Sequence, residues 1–408
     1  MRGVILKDMN ELVFSNCLKK PVLENNNCNG INDLLIKVCA VGINRIDLLI
    51  KQNKYLSFPK GKCLGIEISG IIESSQSNLF KKNDKVCSLL KYNGYNEYVI
   101  ANSKHTLKIN DNNISLIEAA SIPESFLTAY QLLYYIAKFP LINQTSLLSN
   151  ENRSTQLNMH TDDLLHNMNK DKNKDISKLQ NDYKESCKSI STNFINKEGA
   201  NNIVAQNSRD YYFEKDEVNV LVYGALSSIG VNLLQLLSYE KKRQIIKINK
   251  IIAVTSNENK GKMSLQIGAT DYVFHNQENF VSNVLNISQN VNLIFDCVGK
   301  SMFEHNLKLC TYDTVWILYG LLSGAKISNF NLFHLIHKRI LLLSSTLYDR
   351  SDNYKKNLIN SFEYNIIPLI YQHVMKFYIH KVLPIEKIKK AHDILEQNLN
   401  IGKVICEF

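Results

Sequence analysis

The stretch that decides the fold is VNVLVYGALSSIGVNLLQLL, residues 218–237. An apolar run over 218–223 stops at small residues beginning with Gly224, and Gly230 opens an amphipathic helical pattern. This pattern predicts a strand, a tight turn and a helix whose first turn aims backbone N–H groups at one point, which suits a phosphate or diphosphate. Ser228 stands where a middle glycine is expected, and its side chain would weaken binding if the backbone there needed a positive φ. On this segment alone, a nucleotide site and an ordinary strand–helix unit both remain open.

The regions on either side of this stretch differ in their patterns. Residues 1–125 hold many short β-runs separated by turn clusters, which predicts a compact all-β domain. Residues 217–348 alternate apolar strands with helices, which predicts a doubly wound parallel sheet that binds ligands at the carboxyl ends of its strands. The tail, 349–408, has β character, so we expect it to return and complete the first domain.

Two segments lie between these regions. Residues 116–137 follow a helical period in which Pro123 marks a turn between two helices, and we assign 126–140 to the parallel-sheet domain. Residues 141–216 are rich in polar residues and poor in apolar ones, which predicts a disordered, low-complexity insertion. A tolerated insertion and a partner-binding loop are both compatible with it.

Composition bounds the class of protein. A chain of 408 residues with 45% hydrophobic residues is typical of a globular protein of two domains. The formal net charge of +10 comes from Lys and Arg residues that are dispersed along the chain. This charge is compatible with a phosphate-bearing cofactor or with nucleic acid as a partner, and equally with a protein that has no partner at all.

The nine cysteines are scattered without a CxxC pair, which predicts reduced thiols rather than a zinc ribbon or a disulfide framework. The first residues, MRGVIL, leave no room for a signal peptide, and no apolar run is long enough to span a bilayer. We therefore expect a cytoplasmic protein without a membrane partner.

Several motifs occur in a fixed order along the chain. They are VGINRIDLL (41–49), LGIEISG (64–70), NDKVCSLL (83–90), NGYNEYV (93–99), EAASIPESFLTAYQLL (118–133), YGALSSIG (223–230), LIFDCVGKSMFEHNLKLC (293–310), VWILYGLLSG (315–324) and AHDILEQNLNIGKVICEF (391–408). In this order the motifs resemble the quinone oxidoreductase branch of the zinc-independent medium-chain dehydrogenase/reductase family. The likeness is greatest to its tumour-protein-inducible quinone oxidoreductase-like members. It covers the whole chain except 141–216.

The resemblance implies an α/β protein with a GroES-like β-barrel catalytic domain, a Rossmann cofactor domain and NADPH in the cleft between them. Motif matching carries the family's cofactor contacts onto Asn44, Thr128, Ser227, Ile229, Gly230, Lys260, His275, Leu321 and Ser323. Asn44 and Thr128 would lie beside the nicotinamide, the 227–230 turn at the diphosphate, and Lys260 at the adenosine 2′-phosphate. His275 stands where the family often has a tyrosine near that phosphate. Asn44 and Tyr55 are the implied catalytic residues, Tyr55 at the substrate pocket.

The residues that would hold zinc are missing from these motifs. Zinc alcohol dehydrogenases have a cysteine where this chain has Asn44 or Arg45, and a histidine within the triplet that reads Gly65-Ile66-Glu67 here. Without a Lewis acid an alcohol is difficult to oxidise, whereas a quinone or an α,β-unsaturated carbonyl accepts hydride into a delocalised system. Tyr55 and Tyr130 are candidate proton donors or stacking surfaces, and each is equally compatible with an ordinary core or surface aromatic.

Coenzyme choice depends on the end of the second strand of the parallel sheet. That strand ends in Thr255-Ser256-Asn257 and lacks the acid that would bind a ribose 2′-hydroxyl, which favours NADP over NAD. Glu258 follows directly and weakens this distinction. Lys260 would supply a cation for the 2′-phosphate.

The sequence therefore predicts an NADPH-dependent reductase of quinones or related α,β-unsaturated carbonyl compounds. Transfer of single electrons or of hydride is left open. The alternatives are an enoyl-thioester or alkenal reductase, and a non-enzymatic nucleic-acid-binding or structural relative of the family. Nucleic acid is the less favoured partner, and the resemblance implies a homodimer or homotetramer.

Overall fold

The computed structural model describes residues 1–7, 11–23, 33–55, 58–59, 61–109, 114–141, 212–213, 217–328 and 330–408. The chain divides into two compact units, one comprising Met1–Ala137 and Lys215–Phe408 and the other Lys138–Glu214. In the second unit the rings of Phe139 and Phe213 pack with their centroids 5.7 Å apart. The predicted insertion at 141–216 lies, apart from 141 and 212–213, outside the described residues.

Strands and helices have the following bounds. The strands are β1 (Gly3–Lys7), β2 (Glu11–Ser15), β3 (Leu34–Ile43), β4 (Glu67–Ser75), β5 (Lys85–Leu89), β6 (Tyr98–Ala101), β7 (Thr106–Lys108), β8 (Val218–Val222), β9 (Ile248–Thr255), β10 (Asp271–Phe274), β11 (Val291–Asp296), β12 (Cys310–Leu318), β13 (Leu341–Ser344), β14 (Ile379–Pro384) and β15 (Lys403–Glu407). The described α-helices are α1 (Arg45–Lys51), α2 (Leu116–Ala119), α3 (Leu127–Tyr130), α4 (Ser228–Arg243), α5 (Glu258–Ile267), α6 (Phe280–Ile287), α7 (Phe303–Leu309), α8 (Phe333–His337), α9 (Asp352–Asn365), α10 (Ile367–Tyr371) and α11 (Ile388–Glu396). Wider, π-helical turns cover Ile122–Phe126 and Gln131–Ile136.

A seven-stranded sheet packs around the first apolar core of the larger unit. Its order is β14-β15-β3-β4-β5-β7, and β6 pairs with β3 beside that path. Strand β3 buries almost every residue of LLIKVCAVGI, and its side chains meet those of β4 and β15 in one hydrophobic cluster. β15 runs antiparallel to β3 with Val404 opposite Ile43, so the last residues of the chain lie in this sheet.

A six-stranded parallel sheet carries the second core. Its order is β10-β9-β8-β11-β12-β13, and every neighbouring pair is parallel. The strand order therefore reverses between β8 and β11, where the loops after these two strands diverge and leave a crevice. All five residues of β8 are buried, as expected for a central parallel strand. The predicted α/β architecture, a GroES-like barrel with a Rossmann sheet, is confirmed.

Helix α4 fixes the position of the turn that precedes it. Ser227 caps its first turn, and three cations, Lys241 to Arg243, lie in its last turn, where they complement the helix dipole. Near its carboxyl end the buried Glu240 accepts a 2.6 Å hydrogen bond from the Tyr134 hydroxyl and pairs with Arg243. The helix is thus anchored at both ends.

Candidate functional site

The turn between β8 and α4 has the geometry of an anion-binding turn. Gly224 has φ +57°. A Cβ atom on Gly230 would lie 2.2 Å from the carbonyl oxygen of Gly224, so position 230 admits only glycine. The Ser227 hydroxyl accepts a 3.0 Å hydrogen bond from the Gly230 N–H. Helix geometry leaves the N–H groups of Ser228 and Ile229 without an intrahelical acceptor. This cradle fits the diphosphate of a dinucleotide.

Ser228 does not strain this turn. The non-glycine residues with positive φ in the described part of the chain do not include it, and it forms the first residue of α4. Its side chain instead lines a small cavity with Lys403 and Ser125. We therefore find no backbone strain at Ser228 that would weaken binding of a diphosphate.

Lys260 lies after the carboxyl end of β9, in the first turn of α5. Asn257 caps this helix by accepting a 3.0 Å hydrogen bond from the Lys260 N–H. The Lys260 ammonium donates a 2.6 Å hydrogen bond to the carbonyl of Asn398, and partial burial lowers its pKa. The carboxylate of Glu258 accepts from the Tyr272 hydroxyl at 2.9 Å. Glu258 therefore has a partner on the neighbouring strand, while the cation of Lys260 is bonded to the Asn398 carbonyl.

His275 follows the carboxyl end of β10 and is exposed. Its backbone N–H donates to the carbonyl of Thr255, the last residue of β9, at 3.1 Å. Lys260 and His275 thus follow the ends of two adjacent strands, which allows both to face one 2′-phosphate. These contacts do not test whether either residue binds that phosphate.

Sequence reasoning did not single out Arg45, whose side chain meets the same residue as Lys260. Its guanidinium donates to the side-chain oxygen of Asn398, the residue whose carbonyl holds Lys260. Burial lowers the pKa of Arg45, and the nearby Glu396 carboxylate favours its charged form. Two cations therefore converge on one asparagine. The feature of the sequence that could have pointed to Arg45 is its position directly after Asn44.

Leu321 and Ser323 lie on the exposed loop after β12, which is hydrogen-bonded to the segment that follows Asp296 at the end of β11. Hydrogen bonds run from the Leu322 and Ser323 N–H groups to the carbonyls of Cys297 and Val298, at 3.2 and 2.9 Å. The residues that donate to the Asp296 carboxylate are Val298, Gly299, Asn306 and Trp316. Burial raises the pKa of the neighbouring Cys297 thiol to about 12, so this thiol stays protonated.

Asn44 forms the amino end of α1 and is almost fully buried. Its side-chain amide donates to the Gly42 carbonyl at 3.2 Å and to Glu67 Oε1 at 2.8 Å, while its oxygen accepts from the Lys403 ammonium at 2.7 Å. Both N–H bonds are thus used within the protein. Toward a ligand, Asn44 can offer only the remaining lone pair of its oxygen, as a hydrogen-bond acceptor.

Three buried ionisable side chains surround Asn44. Lys403 and Glu67 form an ion pair in which the side chains are 2% and 0% exposed. A second carboxylate, Asp47, accepts hydrogen bonds from the N–H groups of Asn44 and Gly65 at 2.8 and 3.1 Å. Burial raises the pKa of Asp47 to about 6.

Thr128 joins this cluster through Glu124. Its hydroxyl lies 3.4 Å from Glu124 Oε1, and the Glu124 N–H donates to Glu67 Oε2 at 2.8 Å. Glu124 Oε2 is buried and has no hydrogen-bond partner among the described residues. Burial first, and then the charge of Glu67, raise the pKa of Glu124 to about 8. One chain of contacts therefore links the two residues predicted beside the nicotinamide.

We expect the Glu124→Gln variant to gain on the order of 1–3 kcal/mol in free energy of unfolding at pH 8. Between pH 4.5 and 8 the folded protein keeps a proton on Glu124 that the unfolded chain releases, so stability falls as pH rises through this window. Glutamine stays neutral, so its unfolding curves in urea should change less between pH 5 and 8. The exposed control Glu278→Gln should follow the wild type, and an unchanged pH dependence in Glu124→Gln would contradict a protonated Glu124.

Tyr55 and Tyr130 have different surroundings. The Tyr55 hydroxyl donates a 2.6 Å hydrogen bond to Asp349, and its ring meets Tyr348 edge to face at 5.3 Å. Tyr130 is fully buried and its hydroxyl lies 2.8 Å from Ser361 Oγ. Tyr130 therefore has the environment of a core aromatic, whereas Tyr55 is only partly buried beside an exposed carboxylate.

Within the described ranges no group of three His, Cys, Asp or Glu side chains is placed to hold a metal ion. Asn44 or Arg45 stands where zinc alcohol dehydrogenases have the cysteine, and Ile66 is the middle residue of the triplet that holds their histidine. A hydrogen-bonded amide, a guanidinium and an alkyl group do not fit zinc. None of the described helices combines the length and apolar character needed to cross a membrane.

Comparison with known proteins agrees with both halves of this architecture. Residues 30–111 match the family described as alcohol dehydrogenase GroES-like domain, and residues 244–363 match the family described as zinc-binding dehydrogenase. The chain is 32% identical over 140 residues to human synaptic vesicle membrane protein VAT-1 homolog-like, covering 34% of this chain and 32% of that protein. It is 31% identical over 110 residues to quinone oxidoreductase of Lama guanicoe, covering 26% of this chain and 33% of that enzyme.

Among solved structures, Escherichia coli quinone oxidoreductase complexed with NADPH superposes with a TM-score of 0.67 at 18% identity, over 100% of this chain and 99% of that one. At this identity the likeness concerns the fold. The chain spans about a third or less of the length of the curated relatives it matches. The two family matches, the relatives and the fold support a place for this chain in the medium-chain dehydrogenase/reductase family, in its zinc-independent quinone oxidoreductase branch.

Proposed function

We propose that this protein is an NADPH-dependent oxidoreductase that reduces quinones or related α,β-unsaturated carbonyl compounds without zinc. One observation carries the proposal. The anion-binding turn at the switch point of the parallel sheet is hydrogen-bonded to the segment that holds the Asn44 cluster, through the Gly402 N–H and the Leu226 carbonyl, 2.9 Å apart. The proposed diphosphate turn and the buried polar cluster around Asn44 are therefore neighbours, and a dinucleotide would extend from one to the other. Quinone oxidoreductase relatives and NADPH-bound neighbours support the choice of cofactor.

The residues divide along the proposed cofactor. Ser227, Ile229 and Gly230 would hold the diphosphate through backbone N–H groups, and Lys260 with His275 would face the 2′-phosphate. Leu321 and Ser323 would line the crevice on the β12 side. We expect Arg45 to add a second cation near the phosphates, because it shares Asn398 with Lys260.

When bound, NADPH supplies a hydride, and the protein's task is to hold the acceptor against it and exclude water. Asn44 would accept a hydrogen bond from the nicotinamide end of the cofactor, since its N–H groups are already used. Thr128 would contact the same end. Tyr55 would contact the substrate, with its hydroxyl proton held by Asp349.

The experiment is a titration of the protein with NADPH and with NADH, followed by nicotinamide fluorescence. We expect tighter binding of NADPH, and then its oxidation on addition of 9,10-phenanthrenequinone. Oxidation by an enoyl thioester but not by the quinone would select the enoyl-thioester reductase instead. Failure to bind either nucleotide would contradict the proposal, and binding of RNA by such a protein would favour the non-enzymatic alternative.

We further propose that the protein forms a homodimer through the β13 edge of the parallel sheet. β13 ends the sheet within the described residues, and Leu341 and Leu342 on it are each 38% exposed. Helix α8 adds Phe333 and Ile336 to this apolar surface, at 59% and 76% exposure. An exposed apolar edge strand of this kind is a template for pairing with a second copy.

Sedimentation velocity tests this interface. We expect a dimer for the wild type, monomers for the double variant Ile336→Asp/Leu342→Asp, and a dimer for the control Leu79→Asp, which changes a leucine that is 73% exposed outside this surface. A monomeric wild type, or a double variant that stays dimeric, would contradict the proposal. A tetramer that falls to dimers in the double variant would show that β13 is one of two interfaces.

The proposed compartment remains the cytosol, with a small molecule as substrate. All seven cysteines in the described part of the chain are free thiols, and four of these are buried, which agrees with a reducing environment.

A further inference from the structure

The dipeptide Gly402–Lys403 lies between the two ends of the crevice. The Gly402 N–H donates to the Leu226 carbonyl in the diphosphate turn at 2.9 Å. Gly402 has φ +74°, and a Cβ atom there would lie 2.0 Å from the carbonyl oxygen of Tyr378, so only glycine fits this position. The side chain of the next residue, Lys403, extends to the Asn44 cluster.

Three acceptors surround the Lys403 ammonium, which is the number that it can bond. They are the Glu67 carboxylate, Asn44 Oδ1 at 2.7 Å and Ser125 Oγ at 2.8 Å. The packing is close as well, since a Cβ on Gly42 would lie 2.5 Å from Glu67 Oε1 and 2.6 Å from Lys403 Cε. The cation is thus fixed in direction and not merely neutralised.

This arrangement decides which atom Asn44 can offer to a ligand. The Asn44 amide nitrogen donates to Glu67 Oε1 while Asn44 Oδ1 accepts from the Lys403 ammonium, so turning the amide over would break both hydrogen bonds. A turned amide would also place its N–H groups against the ammonium, which has no acceptor to offer. Without the ammonium this opposition is removed, and Asn44 loses the donor that fixes its oxygen.

We propose that Lys403 is a positioning residue that holds Asn44 with its oxygen toward the nicotinamide end of the crevice. This inference rests on the proposed NADPH function. It assigns to Lys403 an effect on the nicotinamide half of the cofactor alone, because the diphosphate turn is held by the backbone of Gly402 and not by the lysine side chain.

The test compares two ligands that differ only in the nicotinamide half, NADPH and 2′-phospho-ADP-ribose. The variant is Lys403→Met/Glu67→Gln, which removes both members of the ion pair, so that neither is left buried without the other. We expect NADPH to bind about tenfold more weakly, the effect of one lost hydrogen bond of directed geometry. Binding of 2′-phospho-ADP-ribose should change less than about twofold.

Equal weakening of both ligands would make Lys403 a structural residue, and unchanged binding of both would show that it does not position Asn44. If the double variant does not fold, Lys403→Arg carries the same comparison. Its planar guanidinium cannot direct three N–H bonds from one nitrogen, so the same selective loss is expected. A wild-type protein that binds 2′-phospho-ADP-ribose and NADPH equally contradicts this role alone, whereas one that binds neither contradicts the proposed function.

Discussion

Replacement of Lys260 by alanine is expected to weaken NADPH binding 5- to 150-fold, a range that corresponds to about 1–3 kcal/mol, while NADH binding stays almost unchanged. The ammonium lies after the carboxyl end of β9, where a 2′-phosphate would be held, and its own contact there is the Asn398 carbonyl at 2.6 Å. A phosphate would replace that neutral acceptor by a charged one, and hydrogen bonds between charged groups are the stronger kind. Isothermal titration with each nucleotide measures the difference.

Lys262 provides the matched control for this experiment. It lies two residues further along the same helix, its side chain is 68% exposed, and its ammonium is 3.4 Å from Glu258. Lys262→Ala should therefore leave both affinities within about twofold of the wild type, since an exposed ion pair contributes little. Equal weakening of NADPH and NADH by Lys260→Ala would make the lysine structural, and tighter binding of NADH by the wild type would contradict the choice of NADPH.

Replacement of Asp296 by alanine is expected to lower the free energy of unfolding by about 3–5 kcal/mol. The carboxylate is fully buried and accepts from the N–H groups of Val298 and Gly299 at 2.7 and 3.0 Å. It also accepts from the side chains of Asn306 and Trp316 at 3.0 and 3.1 Å. Alanine would leave these donors buried without an acceptor, and each such donor costs about 1–3 kcal/mol before the structure relaxes.

Urea unfolding followed by tryptophan fluorescence reports this change directly, because Trp316 is the single tryptophan and donates to Asp296. Asp313→Asn serves as the control, since Asp313 pairs with Arg339 at the surface with both side chains 62% exposed, and asparagine tolerates the φ of +61° at this position. That variant should lose less than about 1 kcal/mol. An Asp296→Ala protein as stable as Asp313→Asn would show that the four donors find other partners.

Much of the fold could be predicted because its signals are local. Strand-like apolar runs, the small residues after Tyr223 and the helical period from Gly230 all depend on neighbours in sequence, and they sufficed for the α/β class and both sheets. The predicted site residues of the Rossmann sheet follow the ends of β8, β9, β10 and β12, because parallel strands bring their carboxyl ends to one edge. Their roles stay predictions.

What the sequence did not reveal are contacts between distant segments. Glu67, Glu124 and Lys403 come from a barrel strand, a connecting turn and the last strand, and no pattern in the sequence links them. The same holds for Asp296, which reads as an ordinary strand residue until its four donors are seen. The π-helical turns on either side of Thr128 were not predicted either, because their hydrophobic spacing resembles that of an α-helix.

The hydrogen bond between Lys403 and Asn44 joins residues 359 positions apart, which bears on the order in which the crevice is assembled during folding. Contacts this distant form late, since the chain between them must first lose its freedom, whereas the turn at 224–230 is built from sequence neighbours. The phosphate-binding half can therefore form as soon as the parallel sheet does. The half around Asn44 is completed only when β15 docks beside β3, so a partly folded chain would present an anion-binding turn before it could orient a hydride donor.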